Sequence, residues 1–256
     1  MDYLSYWSLL RKPFALGDGF VFFAGVSQRE AIAGLNYFAT NQLNSAFLVA
    51  PARCGMSQLL RHVKRMRGFG DCAAEVVLTS GRQPGREAVQ QELCQALGYQ
   101  GVVGDCAEQL DRAIEASAQQ GLQTIWLIDR CQAPAARVAR DLVMAHSSLS
   151  VVISTTHEEL GKQAVEFGRC AMQIELTPLS LEDTITYVRF CIDHAGGTRQ
   201  LFPDNAVVRL HELTGGALAD LAVVAESALA LAASHTVDLV GSAFVEAIDE
   251  QIARAA

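Results

Sequence analysis

The residues with the clearest chemical spacing lie between Ala50 and Ser57, where the chain reads Ala-Pro-Ala-Arg-Cys-Gly-Met-Ser after an apolar run. A loop that binds nucleotide phosphates has the pattern G-x-x-x-x-G-K-S/T, in which lysine reaches the β- and γ-phosphates and the hydroxyl holds Mg²⁺. Gly55 and Ser57 fit this pattern, whereas Ala50 replaces the first glycine and Met56 replaces the lysine. The segment therefore predicts a nucleotide-binding scaffold that has lost part of its phosphate chemistry.

A second candidate group is the carboxylate of Asp129, which ends the apolar run Thr124-Ile-Trp-Leu-Ile. An aspartate in this place holds the Mg²⁺ shell in phosphate-loop NTPases, although an ordinary buried strand that closes on an exposed aspartate has the same pattern. The next residue is Arg130, so the glutamate that would act as general base in hydrolysis is absent. We therefore expect no catalytic residue, no metal and no cofactor beyond a vestigial site for ATP and Mg²⁺.

Composition restricts the classes of partner. The chain has 256 residues, of which 50% are hydrophobic and 19% are charged, and its formal net charge is −8. An acidic chain has no overall positive field to attract a polyanion, so nucleic acid is not an expected partner. The largest basic cluster follows the loop at mostly helical spacing and is either a solvated helix face or a binding surface; its members are Arg53, Arg61, His62, Lys64, Arg65 and Arg67.

The seven cysteines are scattered and include no C-x-x-C pair and no zinc-binding spacing. This usage favours buried thiols in a reducing compartment. Cys54 in the loop is either a packed thiol or a reactive one, activated by a helix N-terminus and by Arg53. No run approaches the ~20 apolar residues of a membrane span. We predict a cytoplasmic protein without direct membrane insertion.

Hydrophobic periodicity predicts an α/β protein. Short apolar runs predict strands near 46–50, 75–79, 124–128, 150–154 and 173–176. Helical spacing predicts helices near 56–67, 86–97, 105–119, 134–145 and 157–166, followed by four more near 181–195, 204–213, 217–233 and 242–253. We expect three parts: an aromatic-rich segment 1–45 packed on the core, an α/β core at 46–178, and a helical lid at 179–256.

The ordered series of motifs resembles the AAA+ ATPases of the general secretion pathway protein A (ExeA-like) type. The resemblance covers essentially the whole chain. It is carried by Tyr6-Trp7-x-Leu9-x-x-x-Pro13-Phe14, Leu59-Leu60-Arg61, the strand that ends at Asp129, Leu176-Thr-Pro-Leu179 and Leu213-Thr-Gly-Gly216. It implies a three-layer P-loop NTPase core with a five-stranded parallel sheet in the order 5-1-4-3-2, plus a C-terminal helical lid.

Departures from that family concern the nucleotide site. Arg53 stands where the family has a loop glycine, and Ala219 stands where the lid segment G-G-x-P-R carries its arginine. Two further positions match more weakly: Thr155 or Thr156 at the polar sensor after the fourth strand, and Arg169 near the arginine that acts across a subunit boundary. The resemblance thus implies a vestigial site for nucleotide and Mg²⁺ that comprises Arg53, Gly55, Ser57 and Asp129, with Thr155 and Arg169 as additional candidates.

These departures indicate an AAA+ family protein with a degenerate nucleotide site. Its expected role is a non-hydrolysing scaffold or regulatory module that binds a protein, such as an active AAA+ relative or a secretion-type complex. Two alternatives remain open. One is a nucleotide-binding switch or weak ATPase in which Arg53 replaces the loop lysine, and the other is a DNA-associated ATPase subunit. Purified alone, the protein is expected to be a monomer or small oligomer.

Overall fold

The computed structural model describes residues 2–17, 19–66, 69, 72–99 and 106–255. The chain divides into two compact units, which we call the helical unit (Met1–Gln28, Ala52–Gly55 and Thr177–Ala256) and the sheet unit (Arg29–Pro51 and Met56–Leu176). Arg67 of the basic cluster and residue 105 at the start of one predicted helix lie outside the described residues.

The sheet unit contains five parallel strands in the order β2-β3-β4-β1-β5. Counted from the other edge, this is 5-1-4-3-2, so the predicted fold class and strand order are confirmed. The strands are β1 (Ser45–Ala50), β2 (Ala74–Ser80), β3 (Gln123–Asp129), β4 (Leu149–Thr156) and β5 (Met172–Glu175).

The three inner strands, β1, β3 and β4, consist almost entirely of residues that are buried. Every residue of β1 is buried, and only Asp129 of β3 and Thr156 of β4 are partly exposed. Helices cover both faces of a parallel sheet, so such strands carry continuous apolar runs instead of alternating ones. The only residues of these strands that are partly exposed, Asp129 and Thr156, both lie at a carboxyl end.

Amphipathic helices cover the sheet. Their buried residues recur at helical spacing, as Leu59, Leu60 and Val63 do on α3. Trp126 of β3 is fully buried, and its Nε1 donates a hydrogen bond to Oγ1 of Thr79 at 2.8 Å. The helices that flank or follow these strands are α2 (Val26–Thr40), α3 (Met56–Met66), α4 (Arg86–Ala96), α5 (Cys106–Gln119), α6 (Ala133–Ala145) and α7 (His157–Phe167).

The helical unit is built around α10, in which only Ala230 and Ser234 are exposed. A helix that is apolar on nearly all sides must be covered by several neighbours. Among the described residues, no helix combines the length and hydropathy that a membrane span requires. The helices of this unit are α1 (Tyr3–Tyr6), α8 (Leu181–His194), α9 (Asp204–Thr214), α10 (Leu218–Ser234) and α11 (Ser242–Ala255).

The N-terminal aromatic segment contributes to the core of the helical unit, and its packing on the α/β core stays a prediction. Trp7 and Phe14 belong to the apolar cluster of the helical unit, and Phe20 is a buried residue of the same unit. Trp7 Nε1 donates to the carbonyl oxygen of Leu229 at 2.9 Å, and Glu226 accepts a hydrogen bond from the Phe14 amide at 3.1 Å. The physical reason is that α10 needs an apolar cover, which this segment supplies.

Candidate functional site

The best-preserved part of the candidate site is a side-chain pair at the carboxyl edge of the sheet. Ser57 lies in the first turn of α3, and Asp129 is the last residue of β3. Ser57 Oγ donates a hydrogen bond to Asp129 Oδ1 at 2.9 Å. This is the hydroxyl and carboxylate pair that a P-loop protein uses to hold Mg²⁺. The structure thus brings together two of the residues that the sequence nominated.

Asp129 is held in place by the backbone around it. The amide of Gly81 donates to the carbonyl oxygen of Asp129 at 2.7 Å, and the amide of Cys131 donates to the carbonyl oxygen of Ser154 at 3.1 Å. The backbones approach so closely that a Cβ built on Gly81 would lie 2.4 Å from the Cα of Cys131. Only glycine fits at that position, so the ends of β2 and β3 form a tightly packed edge that fixes the carboxylate.

Ser154 is a site residue that the sequence analysis missed. It is fully buried, its Oγ lies 3.5 Å from Asp129 Oδ1, and it accepts a hydrogen bond from the amide of Arg130 at 2.8 Å. Thr155, the predicted sensor residue, is also buried, but its Oγ1 donates to the carbonyl oxygen of Thr156. Successive side chains of a strand point to opposite faces. Ser154 and Thr156 therefore lie on one face of β4, and Thr155 lies on the opposite face. Once β4 had been assigned, this alternation could have identified Ser154 as a site residue.

Arg130 stands where the catalytic glutamate was sought. Its Nε lies 3.6 Å from Asp129 Oδ2, and its backbone adopts a left-handed φ of 54°. A guanidinium is protonated at all ordinary pH values and cannot accept a proton from water. This residue therefore contributes a positive charge beside Asp129 and no general base.

The loop between β1 and α3 has a different set of contacts, all within the helical unit. The carbonyl oxygen of Arg53 accepts a hydrogen bond from the amide of Ala219 at 3.0 Å, and its guanidinium forms an ion pair with Asp220. Ala219 stands at the position where the family pattern has the lid arginine, and Asp220 lies in the first turn of α10. The arginine that was considered as a substitute for the loop lysine is thus engaged by a carboxylate of its own chain.

Backbone geometry shows that the loop keeps its turn despite the substitution. Arg53 has a φ of 67° and Gly55 has a φ of 95°. Glycine adopts such values readily, whereas a residue with a Cβ is strained there by about 1 kcal/mol. The loop therefore retains a conformation that suits glycine at position 53, and the two contacts of Arg53 help to offset the strain.

Two other loop residues are buried. Met56, at the lysine position, is only 7% exposed, and it supplies no positive charge. Cys54 is also buried, and desolvation together with the negative charge of Asp220 raises the pKa of its thiol to about 11. A thiol with a raised pKa is mostly protonated at neutral pH and is a poor nucleophile. The burial and the raised pKa favour the packed thiol over the activated thiolate.

Arg169 lies in the sheet unit, between α7 and β5, where its side chain is exposed. It precedes β5, whereas Ser57 and Asp129 lie beyond the carboxyl ends of β1 and β3. Its position therefore gives it no part in the Ser57–Asp129 pair of its own chain. A role across a subunit boundary stays a prediction.

The residues of the candidate site suit the Mg²⁺ ion of a Mg²⁺-ATP complex better than they suit its phosphates. Ser57 and Asp129 present oxygen ligands of the kind that Mg²⁺ binds. The groups that should neutralise phosphate charge do not fit, because Met56 is apolar, Arg53 is paired, and the lid offers the carboxylate of Asp220 in place of an arginine. We therefore derive no catalytic step through a bound nucleotide.

Comparison with known proteins gives matches by structure only. No protein-family model matches the sequence, and no curated protein sequence matches it. The Aeropyrum pernix ORC2 protein in its ADPNP-ADP complexes superposes with a TM-score of 0.73 at 12% identity, over 94% of this chain and 71% of that chain. A chain of Drosophila ORC bound to DNA gives a TM-score of 0.69 at 18% identity, over 95% of this chain and 65% of that chain.

A third match is the RuvB Holliday junction branch migration motor of Thermotoga maritima, with a TM-score of 0.55 at 11% identity over 88% of this chain and 67% of that chain. The chain has the AAA+ P-loop fold. Identities this low show the AAA+ fold alone. The chain also spans less than two thirds of the Drosophila ORC chain.

Proposed function

We propose that this AAA+ fold protein no longer hydrolyses ATP and acts as a scaffold or regulatory module that binds another protein. The observation that carries the proposal is the double contact between the loop and α10, in which Arg53 binds Asp220 through its side chain and Ala219 through its carbonyl oxygen. In an ATPase of this fold the loop and the lid would both direct positive charge at phosphate. Here their charges neutralise each other.

The size of the lost interactions supports this proposal. A charge-assisted hydrogen bond contributes about 1.5–3 kcal/mol, and one preorganised donor to developing charge changes a rate by roughly 10²–10³-fold. The loop lysine, the lid arginine and the general base are all replaced, by Met56, Ala219 and Arg130. These contributions do not add simply, yet the loss of any one would slow an enzyme strongly.

The surviving Ser57–Asp129 pair is compatible with a protein that binds no nucleotide. The two side chains satisfy each other directly, so neither is left with an unmet hydrogen bond when metal is absent. Removing either would expose the other to the cost of an unsatisfied polar group. We infer that the contribution of Ser57 and Asp129 to the stability of the fold is enough to explain why both residues are present.

The test of the proposal is nucleotide binding followed by thermal unfolding. A ligand at 100 times its Kd stabilises the folded state by about 2.7 kcal/mol, and a domain of this size gains about 2–4 °C in Tm per kcal/mol. We expect millimolar Mg-ATP to leave Tm unchanged within about 1 °C. A shift of several degrees that disappears in Ser57→Ala or Arg53→Ala would favour the nucleotide-binding switch instead.

A restored variant sharpens this test. Met56→Lys combined with Arg53→Gly returns the lysine and the glycine of the motif, and we expect it to gain measurable affinity for a fluorescent ATP analogue. The matched control is Met56→Leu combined with Arg53→Gly, which restores the backbone but no charge and should not bind. Neither variant should release phosphate while Arg130 occupies the position of the base. Phosphate release by the wild type that is lost in Asp129→Ala would overturn the proposal.

The proposed partner is a protein, and the exposed Arg169 is the residue we propose to face it. An active AAA+ relative is the partner class that the fold favours, because a retained AAA+ surface can assemble with similar subunits. By itself the chain should remain a monomer or small oligomer with or without Mg-ATP in light scattering. A stable nucleotide-free hexamer would contradict this expectation.

Association with DNA is a second candidate function. Two of the matched structures are described as ORC bound to DNA and as a branch migration motor for Holliday junctions, so the expectation that nucleic acid is an unlikely partner gains no support from the comparisons. The net charge of −8 describes the whole chain, whereas α3 carries a local basic face that includes Arg61 and Lys64.

Fluorescence anisotropy with a short duplex at two salt concentrations tests this candidate. If DNA binds through the face of α3, Arg61→Ala combined with Lys64→Ala should weaken binding and reduce its salt dependence. Lys162→Ala combined with Arg254→Ala removes the same charge elsewhere and is the matched control. Binding that is absent at low salt, or equally affected by both double variants, would exclude this face as the DNA site.

A further inference from the structure

Two cysteines of the sheet unit meet where α4 packs against α5. Cys94 Sγ lies 3.4 Å from the carbonyl oxygen of Cys106, and the Cys106 thiol is close enough to influence the ionisation of Cys94. Both residues belong to packed helices, so the contact is part of the helix–helix interface.

The two thiols differ in their access to solvent. Cys106 lines a surface cleft of about 480 Å³ together with Arg86, Gln90 and Gln91, whereas Cys94 does not line it. Cys106 is 9% exposed and Cys94 is 1% exposed. Burial, with the neighbouring Cys106 thiol as the second cause, raises the pKa of Cys94 to about 11. A small oxidant that enters the cleft therefore meets Cys106 first.

We propose that Cys106 and Cys94 form a peroxide-sensitive dithiol that closes to a disulfide between α4 and α5. The thiolate of Cys106 attacks the O–O bond of a hydroperoxide, gains one oxygen atom as a sulfenic acid and releases water or an alcohol. The sulfur of Cys94 then attacks the sulfenic sulfur. The S–O bond breaks, the S–S bond forms, and the hydroxyl leaves as water with the proton of the Cys94 thiol. Two thiols are oxidised and one hydroperoxide is reduced.

A second cysteine pair in the same unit shows why proximity alone is insufficient. Cys170 is close enough to influence the ionisation of Cys131, and Cys170 also lines a surface cleft. Cys94 Sγ is directed at the backbone of its partner cysteine, whereas Cys131 Sγ is directed at the carbonyl oxygen of Gln132 and Cys170 at Ser45. Burial raises the pKa of both thiols to about 12. This pair should stay reduced under conditions that oxidise Cys94 and Cys106.

The disulfide would tie two helices that cover the same part of the sheet, at β2 and β3. Cross-linking two positions restricts the unfolded chain and stabilises the native state when native geometry is preserved. Oxidised protein should therefore unfold at a higher temperature than reduced protein, and dithiothreitol should reverse the change. This inference does not depend on whether the protein binds nucleotide.

The experiment treats the full chain with one equivalent of hydrogen peroxide and identifies cross-linked peptides by mass spectrometry. Wild type and Cys170→Ser should both yield a peptide pair linked through Cys94 and Cys106. Cys94→Ser should instead trap the sulfenic acid on Cys106 as an adduct with dimedone, and Cys106→Ser should yield neither product. A Cys106 adduct in the wild type without the linked peptide, or a link through other cysteines alone, would overturn the proposal.

Discussion

The two halves of the nucleotide motif have changed to different extents. In the sheet unit, Ser57 and Asp129 keep the hydrogen bond of a working P-loop site. In the helical unit, Arg53, which stands at a loop glycine of the family pattern, forms an ion pair with Asp220. The difference supports the proposal that residues which also stabilise the fold persist when hydrolysis is lost, whereas those that served only the ligand are replaced.

Burial explains the difference in constraint. The side chain of Asp129 is 13% exposed and accepts hydrogen bonds from Ser57 and Ser154, while the side chains of Arg53 and Asp220 are 51% and 37% exposed. An unsatisfied buried polar group costs about 1–3 kcal/mol, whereas an exposed ion pair contributes about 0–1 kcal/mol. The buried half should therefore tolerate mutation less well.

The largest effect is expected for Gly81→Ala, which would disturb the edge that holds Asp129. The new Cβ would lie 2.4 Å from the Cα of Cys131, and backbone atoms cannot rotate aside. We expect a loss of about 3 kcal/mol in the free energy of unfolding, measured in urea. Gly85→Ala is the control, because a Cβ there meets no atom within 4 Å. Equal effects of the two variants would show that the edge is not rigid.

A smaller loss, about 2 kcal/mol, is expected for Asp129→Ala, because two hydroxyl groups lose their acceptor. Asp129→Asn keeps an acceptor oxygen and should cost less. Asp220→Ala, in the exposed half, should change the free energy of unfolding by less than about 1 kcal/mol. If Asp220→Ala lowered the free energy of unfolding more than Asp129→Ala, the claim that the buried half tolerates mutation less well would be contradicted.

Replacements of Arg53 test the backbone conformation of the loop. Both Arg53→Gly and Arg53→Ala remove the ion pair, but only glycine relieves the strain of a φ of 67°. The glycine variant should therefore be more stable than the alanine variant by about 1 kcal/mol. Urea unfolding of both proteins gives this difference directly. An alanine variant of equal or greater stability would argue against the left-handed conformation at this position.

The last prediction is confined to alkaline pH and concerns the pH dependence of stability through Cys54. Its pKa is raised to about 11 in the folded chain, against about 8.5 for an unperturbed thiol. Between these values the unfolded state releases a proton that the folded state keeps, so stability falls as pH rises from about 8.5 toward 11. Cys54→Ala should reduce the slope of the free energy of unfolding against pH by the equivalent of up to one proton. Unfolding measured at several pH values gives this slope. An unchanged slope would place the thiol in a more solvated environment.

Much of the architecture was predictable from the sequence because local patterns report burial. Predicted strands and helices coincide with the observed elements within two residues at the described ends, from β1 at Ser45–Ala50 to α10 at Leu218–Ser234. Continuous apolar runs distinguish strands buried on both faces from amphipathic helices. The sequence also nominated Ser57 and Asp129 for one candidate site, and the structure joins them by a hydrogen bond.

The sequence by itself therefore determined the elements and the fold class, and it predicted the loss of the lysine, the base and the lid arginine. Only the tertiary structure decided which partners the substituted residues found. Four such contacts join residues that are distant in the sequence. Arg53 contacts Asp220, Asp129 contacts Ser154, Trp7 contacts α10, and Cys94 contacts Cys106. The physical reason is that periodicity records which face of an element is buried, whereas a side-chain contact depends on how separate elements pack against each other.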